Sequence, residues 1–250
     1  MPLLETIRHL AIATLAMAST IQALPPSRPA DGAPKIPLRL MPLGASITYG
    51  QRSSTGNGYR EDLYNLLTQE GYTVRMAGSR KHGSMADNEV EGWPGFRIDQ
   101  VERKAKRAVP GRLPNLFTIN VGTNDCIQDY NLDHARNRMD DLLEYLWTAS
   151  PNSTVILSTL LVNVNATVES RIQRVNRRFK ALAMRKTQEG KRIILADMHG
   201  DDGPQKADLS ADGIHPNDRG YAKMANIWNR SIREASREGM IVEPRPLPEA

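Results

Sequence analysis

Between residues 36 and 240 the chain keeps switching period: short continuous apolar runs alternate with longer segments whose apolar residues recur every three or four positions. Arg39–Leu43, after Pro37 and before Gly44, reads as a first buried strand. Tyr59–Glu70 carries Leu63, Leu66 and Leu67 at helical spacing and ends at Gly71. Tyr72–Ala77, Leu116–Val121, Thr154–Leu161 and Ile193–Ala196 read as four further strands. The helical segments between and after them are Ile98–Ala108, Leu132–Trp147, Arg171–Met184 and Asp218–Glu238. Strands that alternate with helices pair in parallel, because each helix carries the chain back across a sheet face. The expectation is an α/β fold with a five-stranded parallel sheet. No repeat and no second composition regime interrupts it, so residues 36–240 are expected to form one domain.

The apolar share, 40% of 250 residues, suffices for a core of that size. The single cysteine, Cys126, excludes a disulfide framework and any clustered-cysteine zinc site, and a buried thiol is expected. The net charge of +5 concentrates in Arg103–Arg107 and Arg171–Lys186. Both stretches lie on amphipathic helices and no nucleic-acid motif accompanies them, so they read as solvated faces, with no nucleic-acid partner.

The ends of the chain differ from its middle. Arg8 is followed by an uncharged, mostly apolar run, Leu10–Ala23, which fits the ~7–15 residues of a signal h-region and falls short of the ~20 that a membrane span needs. Residues 1–23 therefore read as a signal peptide and the protein as secreted, with no membrane span. Residues 24–35, with Pro25, Pro26, Pro29 and Pro34, read as a linker. Residues 241–250, with Pro244, Pro246 and Pro248, read as a tail. Sequons at Asn152, Asn165 and Asn229 are compatible with export.

In parallel α/β sheets, ligands bind beyond the carboxyl ends of the strands. The first strand runs into Gly44-Ala45-Ser46-Ile47-Thr48, and the third into Gly122-Thr123-Asn124-Asp125. A serine in such a turn can act as a nucleophile if a base takes its proton, and histidine is the natural base near neutral pH. His215, in Asp212-Gly213-Ile214-His215-Pro216, has a carboxylate three residues before it that can orient the ring. His199, two residues after Asp197, is the competing base. Acyl transfer also needs donors for the developing oxyanion. The N–H of Ser46, the side-chain amide of Asn124 and the N–H of Gly95 in Glu91-Gly92-Trp93-Pro94-Gly95-Phe96 are the candidates.

These residues resemble, in order, the four blocks of the SGNH (GDSL-type) hydrolases, and the match runs from residue 39 to about 232. Leu40–Gly44, Glu91–Gly95 and His215-Pro216-Asn217 with Gly220-Tyr221 look most like family 3 carbohydrate esterases, which include acetylxylan esterases. The resemblance implies a flavodoxin-like three-layer α/β/α sandwich. It implies Ser46, Asp212 and His215 as catalytic residues, and Ser46, Gly95 and Asn124 as the oxyanion hole. Ala45 stands where GDSL members usually carry Asp, a change that bears on loop support and not on the nucleophile.

A secreted esterase acting on acylated carbohydrate, as a monomer and without cofactor, is the reading that results. A lipid or thioester hydrolase and a non-catalytic carbohydrate-binding protein are the alternatives. Trp93 is the expected substrate contact, in a chain only 5% aromatic. No metal is expected: Asp197, Asp201 and Asp202 match no calcium-loop spacing.

Overall fold

The computed structural model describes residues 35–247; the expected signal peptide and nearly all of the expected linker lie outside the described residues. Seven strands form one sheet: β1 (Leu38–Gly44), β2 (Val74–Met76), β3 (Arg80–Lys81), β4 (Glu89–Gly92), β5 (Leu116–Asn120), β6 (Thr154–Ser158) and β7 (Ile193–Ala196). The order is β3-β4-β1-β5-β6-β7, with β2 also on β1. Every pairing is parallel except β3 with β4.

The expectation of five strands is thus corrected to seven. All five expected strands are present and parallel. The additions are β3 and β4, two and four residues long and rich in charge, which leave no periodic signature. The registers explain how they fit. Leu38–Leu40 of β1 pair with β2, Leu43–Gly44 pair with β4, and β5 pairs with Leu40–Gly44 along the opposite edge. One edge of β1 is therefore shared end to end by two short strands.

Side chains alternate along the strands. Met41, Leu43, Phe117, Ile119, Val155 and Leu157 face a core covered by α3 (Ile98–Ala108), α5 (Ala135–Ala149) and α6 (Ala166–Gln188). Leu38, Leu40, Leu116, Ile156 and Ile194 face a second core under α2 (Arg60–Gln69) and α7 (Asp218–Arg237). This is the expected three-layer sandwich. Two short helices, α1 (Ser46–Tyr49) and α4 (Thr123–Ile127), stand just beyond the carboxyl ends of β1 and β5.

The basic stretches carry paired charges. Lys106 reaches Glu102 on α3, while Arg171, Arg178 and Lys180 of α6 reach Asp129, Asp133 and Asp197. Lys186, almost fully buried, holds Asp140, Glu144 and Glu189 together. The expected tail begins with a buried residue, Ile241, and the Asn115 amide donates to the Val242 carbonyl. Of the sequons, Asn229 is buried with its amide donating to Glu70, and Asn165 caps α6. Among the described residues no helix is long and apolar enough to cross a membrane.

Candidate active site

Gly44 ends β1 where nothing larger fits. A Cβ there would overlap the Asn120 carbonyl and the Thr48 hydroxyl, so the chain turns tightly into α1. Ser46 is the first residue of that helix and is buried but for 8% of its surface. Its N–H, at the first helical position, has no intrahelical acceptor. Gly50, with φ +90°, closes the helix after one turn.

The partner of Ser46 comes from a turn 169 residues away. His215 Nε2 lies 2.8 Å from Ser46 Oγ, and His215 Nδ1 lies 2.8 Å from Asp212 Oδ2. The turn itself is rigid. Asp212 Oδ1 accepts the N–H groups of Ile214 and His215 and the Ser210 hydroxyl. Gly213, at φ +69°, packs so closely against Val164 that a Cβ would collide with it. Burial alone would raise the Asp212 carboxyl, but the donors from His215, Ile214 and Ser210 outweigh it and hold it far below the usual carboxylate range. Asp212 is therefore ionised at neutral pH. A carboxylate on one imidazole nitrogen orients the ring so that the other nitrogen can take the proton of the serine hydroxyl.

The competing histidine is placed elsewhere. The His199 ring meets Glu169 at 2.8 Å, and Asp197 receives only the His199 backbone N–H, along with Lys180 and Thr159. Asp202 pairs with Arg230. Among the described residues no group of three or more His, Cys, Asp or Glu side chains is arranged to hold a metal.

The loops after β4 and β5 flank the serine. Trp93 N–H donates to the Gly44 carbonyl at 2.9 Å, and Phe96 N–H to the Trp93 carbonyl at 3.1 Å. With Pro94 second and Gly95 third at φ +81°, residues 93–96 carry the signature of a type II turn, and the Gly95 N–H stays outside its internal bond. On the other side, Asn124 Nδ2 donates to the Phe96 carbonyl at 2.9 Å, so Asn124 and the Gly95 turn, two of the three expected oxyanion donors, belong to one bonded unit. Trp93 is engaged by the protein itself. Its Nε1 donates to Glu91, Arg80 and Lys104 stand over its ring, and Phe96 stacks against it.

Three supporting residues were not assigned a role from the sequence. Fully buried Glu91 holds both Trp93 Nε1 and the Ser79 N–H. Fully buried Asp125 receives the Ile98 N–H and Arg138. Arg52 donates from Nε to Asp212. No local pattern marks these three, because their partners lie far along the chain.

Comparison with known proteins bears on this arrangement. The family model for GDSL-like lipase/acylhydrolases matches residues 43–223. A multidomain esterase of Ruminococcus flavefaciens is 32% identical over 259 residues, which cover 91% of this chain and 33% of that protein. The chain thus spans about a third of that relative's length. A Clostridium thermocellum family 3 carbohydrate esterase superposes with a TM-score of 0.72 at 26% identity, over 80% of this chain and 97% of that one. A family 3 carbohydrate esterase from Talaromyces cellulolyticus superposes at 0.70 and 21% identity, over 80% and 98%, a likeness of fold.

Proposed function

The chain belongs to the GDSL-like lipase/acylhydrolase family, and we propose that it is a secreted serine esterase removing short acyl groups, acetyl above all, from plant cell-wall carbohydrate. The single observation that carries the reading is the hydrogen-bonded series Asp212–His215–Ser46, with both links at 2.8 Å. In this reading His215 Nε2 takes the Ser46 proton as Oγ attacks the ester carbonyl. The N–H groups of Ser46 and Gly95 and the free amide proton of Asn124 are the donors assigned to the oxyanion, and such donors act on charge that exists only after attack. His215 then gives its proton to the departing sugar hydroxyl, leaving an acyl-Ser46. Water, deprotonated by the same imidazole, releases the acid and restores the serine. Asp212 stays ionised and steadies the imidazolium in both halves.

The preference for a short acyl group on a sugar is supported by the polar rim, residues 51–57, beside the nucleophile. It is supported also by the likeness to a family 3 carbohydrate esterase and to a multidomain esterase. Secretion is supported by the apolar run Leu10–Ala23. The test is hydrolysis of acetyl, butyryl and octanoyl esters of one chromophore, alongside acetate release from acetylated xylan, with Ser46→Ala as control. Acetyl preference and acetate release are expected. Octanoyl turnover above acetyl turnover would move the assignment to a lipid hydrolase.

A further inference from the structure

Arg52 stands in the left-handed region, at φ +71°, which residues other than glycine adopt uncommonly. The segment around it is fixed at several points. Tyr221 Oη donates to the Gln51 carbonyl at 2.6 Å, Ser54 N–H to Asp218 at 2.9 Å, and Ser53 Oγ to the Gly50 carbonyl at 2.7 Å. A strained residue held in place by its surroundings is where a functional constraint is sought. Here the conformation delivers the guanidinium to the triad: Arg52 Nε donates to Asp212 Oδ2 at 3.1 Å, the same oxygen that receives the His215 ring at 2.8 Å.

We propose that Arg52 is a positioning residue for the acid–base pair, fixing the Asp212 carboxylate and keeping a permanent positive charge against it. The inference rests on the catalytic reading of Ser46 and His215. Two consequences follow. The Asp212 oxygen that orients the imidazole is held from two sides, so the ring keeps its line to Ser46. The cation also offsets part of the Asp212 charge, so protonation of His215 is favoured less than a bare carboxylate would make it.

The other groups facing this pair do not duplicate it. Ser46 comes from α1 and Ser210 from the preceding turn, both neutral. From α7 come Tyr221, held protonated by burial, and the anionic Asp218, with Arg60 and Tyr59 beyond Tyr221. From residues 163–169 come Val164, packed on Gly213, and Glu169, whose carboxylate meets the His199 ring. Among the described residues Arg52 is the only Lys or Arg paired with Asp212.

The experiment is the pH profile of kcat and kcat/KM for p-nitrophenyl acetate in wild type, Arg52→Gln, Arg52→Gly and Arg52→Lys. Loss of the cation should move the acidic limb of kcat/KM upward by roughly 0.3–0.7 of a pH unit at low salt, the size expected for an exposed pair. That shift should shrink as salt screens the pair. kcat should fall several-fold with KM little changed, and Arg52→Lys should recover part of the limb position. Arg52→Gly accepts the left-handed backbone and should fold at least as well as wild type, so its altered profile cannot be ascribed to misfolding. An unmoved limb in Arg52→Gly, or a raised KM with kcat intact, overturns the positioning role while leaving the esterase reading in place. Wild type no faster than Ser46→Ala would instead remove the reading on which it rests.

Discussion

The buried carboxylate of Asp125 receives the backbone N–H of Ile98 at 3.1 Å and so joins the loop after β5 to the start of α3. Arg138 of α5 holds its other oxygen at 2.9 Å, with 13% of the Arg138 side chain exposed. Burial pushes the Asp125 carboxyl up, and Arg138 and the Ile98 N–H pull it back. Removing the carboxylate takes from the mostly buried Arg138 its ion-pair partner and frees the helix whose first turn follows Gly95. Asp125→Ala should destabilise the fold by roughly 3–5 kcal/mol. Thermal unfolding checks this, and a midpoint within a degree of wild type would show the pair to be dispensable.

The placement of the two histidines separates their roles. His215→Ala should lose on the order of 10³-fold or more in kcat, as for a triad member. Labelling of Ser46 by a fluorophosphonate should slow with it, since the same base activates the same hydroxyl. His199→Ala breaks only the contact with Glu169, so its rate should stay near wild type. Normal labelling in His215→Ala with loss in His199→Ala would reverse the assignment.

In the proposed mechanism Asn124 serves both the reaction and the loop. Asn124→Ala should lower kcat by roughly 10²–10³ with a modest change in KM, because its amide serves charge that develops after substrate binds. The bond to the Phe96 carbonyl is lost as well. A hole that works as proposed requires the kcat loss to persist in single-turnover measurements of acylation.

Acid should unfold the protein through its paired carboxylates. Burial would raise Asp140, Glu144, Asp197 and Asp208, but Lys186, Lys180 and Lys223 with other donors outweigh it and leave each below its ordinary value. A depressed folded-state value means stability that is fully present above the unfolded-chain value, near pH ~4, and lost as pH falls through the folded one. Asp125, raised, does not add to this loss. Urea midpoints should be level from pH 7 to about 5 and drop steeply between about 4 and 2. A midpoint at pH 3 equal to that at pH 7 would show these pairs contribute nothing.

What the sequence by itself determined is what a local pattern can encode. Alternation of short apolar runs with segments of period 3.6 located all five principal strands and the helices between them. Ile98–Ala108 was legible to the residue, because an amphipathic repeat records which face is buried. Turns with a backbone requirement were legible too: Gly44, Gly95 and Gly213 mark the positions from which Ser46, the Gly95 N–H and His215 are presented. The tertiary structure alone decided the rest. Strands β3 and β4 are too short and too charged to carry a period, and exist because half an edge of β1 is left open beyond β2. The His199 ring went to Glu169 and not to nearby Asp197, and the Trp93 ring met Arg80 and Lys104, through contacts set by how helices and loops pack on the sheet. Arg52 reached Asp212 across 160 residues for the same reason. Sequence spacing measures neighbours along the chain, and these partners are neighbours only once the strand order has brought their loops to one edge.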